Sequence, residues 1–199
     1  MEQGEAIAIE RLRGGDIGGL EALVHTFHRP ALKVAFLITH DRAMAEDVVQ
    51  AAFLRTYERV DRFDHTRPFG PWFLRCVAND ALAAATRHTH IPLDDTLTAA
   101  LERHAAPDTD PEALLTAAET QEAIWACLER LNPEQRAAIV ARYYLDLHGT
   151  ALARELDAPP GTVRRRLHDA RNRLRRALPA WIGHGPTEQS GDADLLPRS

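Results

Sequence analysis

The stretch GTALARELDAPPGTVRRRLHDARNRLRRAL, residues 149–178, contains a short and a long helical pattern separated by Ala158-Pro159-Pro160-Gly161. Paired prolines followed by glycine interrupt a helix and favour a tight turn. The stretch therefore predicts a helix-turn-helix, in which Thr162 is placed to cap the second helix. Working outward, Asn132-Pro133-Glu134-Gln135 predicts an upstream helix start, with asparagine as N-cap and glutamine closing a capping box.

The second helix of this pair has two chemically different faces. An apolar stripe at helical spacing is formed by Val163, Leu167, Ala170, Leu174 and Leu178. The polar positions include Arg164, Arg165, His168 and Arg171, and residues 161–178 contain seven arginines against one acid, Asp169. A solvated basic face is one interpretation. Because so many like charges repel one another without counterions, and because arginine pairs bidentately with guanine or phosphate, we favour DNA contact.

The overall charge of −5 hides an uneven distribution. Residues 161–178 have a net charge of +6, whereas residues 89–121 have a net charge of −6 and include three prolines. A phosphate backbone responds to the local field, so the negative total does not exclude a nucleic-acid partner. The acidic segment lacks a sustained apolar stripe, which is typical of a linker.

The front of the chain is predicted to be helical as well. Apolar stripes run from Leu20 to Phe27 and from Leu32 to Thr39, and Asp41 is placed to cap a long helix ending near Arg62. A break follows, and another helix is expected between about Pro71 and Arg87. We therefore predict an all-α fold of two small helical domains joined by a flexible acidic linker. The predicted boundaries are 1–88, 89–120 for the linker, 121–181 for the helix-turn-helix domain, and 182–199 for a flexible tail.

Four motifs in this order resemble one family. They are AEDVVQAAFLR (45–55), FGPWFLRCVAND (69–80), LNPEQR (131–136) and GTVRRRLHDARNRLR (161–175). Together they resemble the extracytoplasmic-function (ECF) subfamily of sigma-70-type RNA polymerase sigma factors over roughly residues 15–178. The resemblance implies a subunit that binds core RNA polymerase and directs promoter recognition and opening for transcription initiation.

The resemblance implies that the AEDVVQ helix docks on the coiled coil of the polymerase β′ subunit. The matching positions are Asp47, Gln50, Phe53 and Leu54. Asp47 and Gln50 are three residues apart and can face one partner helix. A solvated helix with Phe53 in the core is the alternative. The family often has a carboxylate where this chain has Ala51, so we expect one polar contact to be weaker.

The resemblance also implies two DNA-binding sites. Proteins read unstacked bases by hydrogen bonds to the base edges. Bases flipped from the −10 element would contact Asp64, His65, Arg67, Arg75 and Asn79. Trp72 and Phe73 either stack on bases or, as we favour, pack in the core. The −35 element would meet Thr162, Arg164, Arg165, His168 and Arg171. Asp169 departs from the family's usual basic residue, so the base preference is open.

Further partners implied by the resemblance are the polymerase β flap and an anti-sigma factor. The acidic linker either mimics the charge of RNA inside the polymerase or is merely solvated. The main alternative function is a stand-alone helix-turn-helix regulator, which would explain residues 149–178 but not the AEDVVQ motif.

Other classes are disfavoured by what the sequence lacks. The ten histidines form no metal-binding motif, and no phosphate loop or nucleophile elbow is present. We expect no enzyme activity, no cofactor and no metal. Cys76 and Cys127 are expected to be buried thiols. Without a signal-peptide pattern or a long apolar run, we expect a cytoplasmic protein with no membrane contact.

Overall fold

A computed structural model describes residues 3–64, 67–89 and 124–177. These residues contain helices and turns and no strand, which confirms the all-α prediction. In chain order the elements are α1 (Gln3–Arg13), α2 (Gly18–Thr39), α3 (Arg42–Arg59), a 3-10 turn (Val60–Arg62), α4 (Phe69–Thr89), α5 (124–129), α6 (Pro133–Ile139), a π-helical turn (Val140–Tyr144), α7 (Gly149–Glu155) and α8 (Pro160–Ala177).

The front half, α1 to α4, is built around α2. Helix α2 continues through Pro30 and joins the two stripes seen in the sequence into one helix. Its buried residues lie on both sides of the proline, so packing outweighs the roughly 3 kcal/mol cost of a proline in a helix. Against it lies an aromatic cluster in which Phe69 and Phe73 stack with ring centroids 5.3 Å apart. Helix α1 packs closely on α2 at Gly19.

Helix α3 begins and ends for local reasons. The Asp41 carboxylate accepts a hydrogen bond from the backbone N–H of Met44 at 2.9 Å, which confirms the predicted cap. The α-helix ends at Arg59, and the chain tightens into the 3-10 turn over the last three residues of the predicted span.

The rear half, α5 to α8, contains the predicted helix-turn-helix. The capping box at the start of α6 is present, with the Asn132 side chain accepting from the Gln135 N–H at 2.9 Å. The stripe of α8 is buried at Val163, Leu167 and Ala170, whereas Leu178 lies outside the described residues. The predicted cap at Thr162 is wrong. Because α8 already begins at Pro160, Thr162 lies inside the first turn and its N–H donates to the Pro159 carbonyl.

The two halves pack against each other in this structure. Helix α6 contacts both α2 and α4, and buried residues from α6, α7 and α8 form one continuous apolar core with the front half. No sequence pattern indicated this contact. The predicted acidic linker lies outside the described residues except for its first residue, as does the predicted tail at 182–199. The division into two domains with those boundaries therefore stays a prediction.

Polar contacts accompany this packing at the end of α2. The buried guanidinium of Arg136 donates from Nε to the Ile38 carbonyl at 2.6 Å and from Nη1 to the Leu131 carbonyl at 2.8 Å. His40 Nε2 donates to the Trp125 carbonyl at 3.3 Å. Burial lowers the pKa of His40, and the nearby charge of Arg136 lowers it further. The packing of the two halves therefore favours the neutral form of the His40 ring.

The close approach of α1 and α2 gives a test of the front core. A Cβ on Gly19 would lie 2.3 Å from the Ala8 carbonyl oxygen and 2.6 Å from the Leu12 nitrogen, both backbone atoms. Gly19→Ala should therefore lower the free energy of unfolding by roughly 1–3 kcal/mol, as overpacking does. Gly4→Ala is the control, because nothing lies within 4 Å of its Cβ position and alanine favours a helix. Urea unfolding followed by circular dichroism should show opposite signs for the two variants; equal stabilities would contradict the packing.

His40 gives a test of the contact between the halves. Because its pKa is lowered on folding, its contribution to stability is complete above the ordinary value of 6.5 and is lost as pH falls through the lowered value. Asparagine suits the left-handed backbone at this position, where φ is 57°. In the His40→Asn variant, the free energy of unfolding should therefore fall less than in wild type as the pH is lowered. His25→Asn, at an exposed position on α2, is the control. Identical pH profiles for wild type and His40→Asn would show that the ring is not buried at this contact.

Candidate nucleic-acid interface

The polar face of α8 is accessible where the sequence predicted DNA contact. Arg164, Arg165 and His168 are exposed in its first turns, while Thr162 and Arg171 are half-buried. The apolar stripe on the other side fixes the helix against α6 and α7. A helix held by one face with guanidinium groups on the other has the form that enters a major groove.

Asp169 keeps its exposed place beside these arginines. Within the described ranges it forms no ion pair with Arg165 or Arg173. Arg173 instead donates from Nη1 to the Arg130 carbonyl at 3.2 Å. The carboxylate of Asp169 therefore remains available as a hydrogen-bond acceptor on the same face.

Helix α3 presents a second accessible surface, which we call the α3 face: Asp47, Gln50, Leu54 and Tyr57. All four side chains are exposed, and Leu54 retains 59% of its accessible surface. Phe53 does not belong to this face, contrary to the prediction. It is 6% exposed and packs on Phe73 with ring centroids 4.6 Å apart, because its position turns toward α4. Tyr57 belongs to the α3 face although no sequence motif pointed to it.

The predicted −10 residues fall into two groups. Asp64 and Arg67 form an exposed ion pair of 3.3 Å in the loop before α4, and His65 lies outside the described residues. Arg75 and Asn79 are one turn apart on α4 and half-buried. We call these two the α4 pair. The structure thus places the α4 pair on one helix face and the ion pair on the adjoining loop.

The aromatic residues at the start of α4 belong mainly to the core. Phe73 is 1% exposed, which confirms the favoured core interpretation for this ring. Trp72 is half-buried and packs on Phe63 with ring centroids 4.8 Å apart. Neither ring is presented to solvent as an open stacking platform.

A residue of the rear half contacts the α4 pair. Asn79 Nδ2 donates to Glu155 Oε1, the last residue of α7, at 3.0 Å. Burial raises the pKa of the neighbouring Cys76 thiol to about 11, and the carboxylates of Asp80 and Glu155 add to the shift. Cys76 is thus a half-buried free thiol, and Cys127 is buried and free. No sequence signal pointed to Glu155, because its partner is 76 residues away.

Within residues 3–64, 67–89 and 124–177, no group of three His, Cys, Asp or Glu side chains is arranged to hold a metal ion. No helix there has the length and apolarity required to cross a membrane.

Two family models match the chain in the order of the two halves. The model for sigma-70 region 2 matches residues 23–91, which include α3 and α4. The model for sigma-70 region 4 matches residues 121–174, which include the helix-turn-helix.

Named relatives are similar over most of their length. The ECF RNA polymerase sigma factor SigM of Mycobacterium tuberculosis strain H37Rv is 31% identical over 183 residues, 89% of this chain and 86% of the relative. The RNA polymerase sigma-H factor of Pseudomonas aeruginosa is 27% identical over 176 residues, 85% of this chain and 91% of the relative.

Two solved structures share the fold. CnrH, in complex with the cytosolic domain of CnrY, is 20% identical with a TM-score of 0.55 and covers 87% of this chain and 96% of its own. RpoE from Bartonella quintana, in complex with the anti-sigma factor NepR, is 17% identical with a TM-score of 0.57 and covers 79% of this chain and 94% of its own. With the matched regions and the SigM identity, the family is shown: the chain belongs to the extracytoplasmic-function subfamily of sigma-70 RNA polymerase sigma factors.

Proposed function

We propose that this sigma factor binds core RNA polymerase through the α3 face and holds the promoter −35 element with the exposed face of α8. Helix α8 has a buried apolar stripe on one side and an accessible face with Arg164, Arg165 and His168 on the other. This division is the main support for the proposed DNA contact. Arginine on such a face reads guanine edges or binds phosphates. Asp169 is suited to accept from a cytosine amino group, which would make it part of the base preference.

The α3 face supports the polymerase assignment. Leu54 and Tyr57 keep 59% and 47% of their accessible surface beside an exposed carboxylate and an exposed amide. Aromatic and apolar anchors with a polar rim are typical of protein interfaces. The proposed partner surface is the β′ coiled coil, to which Asp47 and Gln50 would supply the polar contacts.

The α4 pair and the preceding loop are proposed to capture the opened −10 strand. Arg75 offers a guanidinium for phosphate, and Asn79 offers an amide that matches base edges. Two modest contacts separated along the promoter reinforce one another by effective concentration, so neither half needs high affinity alone.

The proposed cellular setting follows from these roles. The chain works in the cytoplasm, without catalysis of its own, and contacts the polymerase β flap with its rear half. A sigma factor of similar fold is held by an anti-sigma factor in its solved structure. We propose that an anti-sigma factor regulates this chain as well.

A stand-alone regulator remains the alternative function. It accounts for α7 and α8 but gives no role to Leu54 and Tyr57 on α3. Run-off transcription with purified core polymerase over a genomic promoter library separates the two. A sigma factor yields specific transcripts only with core enzyme; a regulator binds duplex DNA unaided and yields none.

Arginine substitution on α8 tests the DNA assignment. Arg165→Ala or Arg164→Ala should cost about 1–3 kcal/mol in promoter binding by the holoenzyme and lower the salt slope by about 1 if a phosphate contact is lost. Arg175→Ala, three turns further along the same helix, is the matched control. Transcription from the selected promoters as a function of salt is the measurement. Unchanged promoter use in both variants would refute the α8 assignment, provided that core binding is intact.

Substitutions on the α3 face test the polymerase assignment. Leu54→Ala and Asp47→Ala should each weaken core association by about tenfold, or ~1.4 kcal/mol, because interface truncations of anchor residues typically cost this much. Glu10→Ala on α1, which removes an exposed carboxylate away from the α3 face, is the control. Titration of labelled chain with core polymerase gives the dissociation constants. Wild-type affinity in both α3 variants would place the docking surface elsewhere.

A further inference from the structure

The exposed face of α8 carries a chain of side-chain hydrogen bonds that extends beyond the proposed DNA contacts. His168, Asn172 and Arg175 follow one another at helical spacing, so their side chains share one face of the helix. Asn172 is half-buried, whereas His168 and Arg175 are exposed. Nδ2 of Asn172 lies 2.9 Å from Nε2 of His168, and Oδ1 of Asn172 lies 3.2 Å from Nη1 of Arg175. The Asn172 amide thus connects the two.

The contact with Arg175 identifies which way the Asn172 amide faces. A guanidinium group only donates hydrogen bonds, so the atom that it meets is the carbonyl oxygen of the amide. The amide nitrogen therefore faces the His168 ring. Arg175 is not itself among the proposed DNA contacts.

The orientation of the amide decides which nitrogen of His168 holds the proton. The amide nitrogen donates, so Nε2 of the ring must accept with its lone pair. A neutral imidazole has one protonated and one bare nitrogen, and Nδ1 therefore carries the proton. The Nδ1–H group is the hydrogen-bond donor that His168 can offer to a partner.

A histidine held in this tautomer distinguishes between bases in the major groove. The Nδ1–H group can donate to N7 or O6 of guanine or to O4 of thymine, but it cannot accept from the amino group of cytosine. The other tautomer has a bare Nδ1, which would accept from that amino group. The neighbouring Asp169 carboxylate is an exposed acceptor. His168 and Asp169 together therefore offer a donor and an acceptor, as the edges of a guanine and a cytosine require.

We propose that Asn172 is a positioning residue that holds His168 in the Nδ1–H tautomer and thereby makes it select guanine or thymine over cytosine at one position of the −35 element. The proposal rests on the proposed binding of that element by α8. Asn172 needs no contact with DNA for this role, because it acts through the proton of the His168 ring.

Nitrogen NMR of the full chain with isotope-labelled histidine measures the tautomer directly. Protonated and bare ring nitrogens give well-separated signals, and the His168 signals are identified by their loss in His168→Ala. At about pH 8.5, well above the ordinary histidine pKa of about 6.5, wild type should show a protonated Nδ1 and a bare Nε2 at His168. A protonated Nε2 in wild type would overturn the proposal.

Asn172→Asp keeps the shape of the side chain but replaces the donor with an acceptor. A carboxylate can only accept, so the proton should move to Nε2 and leave Nδ1 bare. Asn172→Ala removes the hydrogen bond, so the ratio of the Nδ1–H to the Nε2–H tautomer should fall by about fivefold. The exposed His25 ring on α2 is the internal control, and its signals should stay the same in all variants. Wild-type His168 signals in both variants would show that Asn172 does not set the tautomer.

Run-off transcription with core polymerase, from promoters randomised in the −35 element, tests the effect on base preference. The position that the ring reads is the one whose base preference is lost in His168→Ala. At that position, Asn172→Asp should lower the ratio of transcripts with guanine or thymine to those with cytosine by about fivefold, the typical effect of one hydrogen bond. A ratio is measured because an added negative charge weakens binding to all templates alike.

The outcomes separate this proposal from the function on which it rests. Wild-type base preference in both His168→Ala and Asn172→Asp would overturn the specificity role, while DNA binding by α8 would stand. If Arg164→Ala and Arg165→Ala also left promoter use unchanged, the proposed function of α8 would fail instead. Titration of Asn172→Asp with core polymerase should give the wild-type dissociation constant, which shows that the variant is folded and that its effect is confined to the promoter.

Discussion

The packed arrangement depends on one buried cation. Arg136, at 8% exposure, joins the carbonyl at the end of α2 to the carbonyl just before α6. Burial lowers its pKa, yet an arginine keeps its charge, so the carbonyls must compensate for lost water. The end of a helix supplies such carbonyls, and its dipole favours a cation there. This contact ties the start of α6 to the end of α2, beside the apolar packing of α6 on the front half.

The rest of this packing follows from the placement of α6. Helix α6 is short and rich in alanine, so it lies close to α2 and α4 and brings α7 with it. Around the Arg136 contact, Trp125 packs edge-on against Phe36 with ring centroids 5.0 Å apart, and the ammonium of Lys33 lies 5.3 Å from the Tyr144 ring centroid. In the same arrangement Glu155 accepts a hydrogen bond from Asn79.

Local signals in the sequence predicted most of the helices but not the arrangement of the halves. Asp41 and the Asn132 capping box mark helix starts that depend on adjacent residues, and both predictions were confirmed. The start of α8 was misplaced because two prolines favoured a turn there, whereas Pro160 lies in the helix itself, where a first-turn proline loses no hydrogen bond. Phe53, named among the docking positions, is buried as in the alternative interpretation, because periodicity locates a stripe but not its exact edges. Arg136 and Glu155 gave no signal, since their partners are distant in sequence.

The central proposal is that this chain binds core RNA polymerase through the α3 face. Hydrogen exchange of backbone amides, compared between the free chain and its complex with core enzyme at a promoter, tests it most directly. The account predicts that α3 gains protection in the complex. Unchanged exchange of the α3 amides in a promoter complex that is fully active would contradict it.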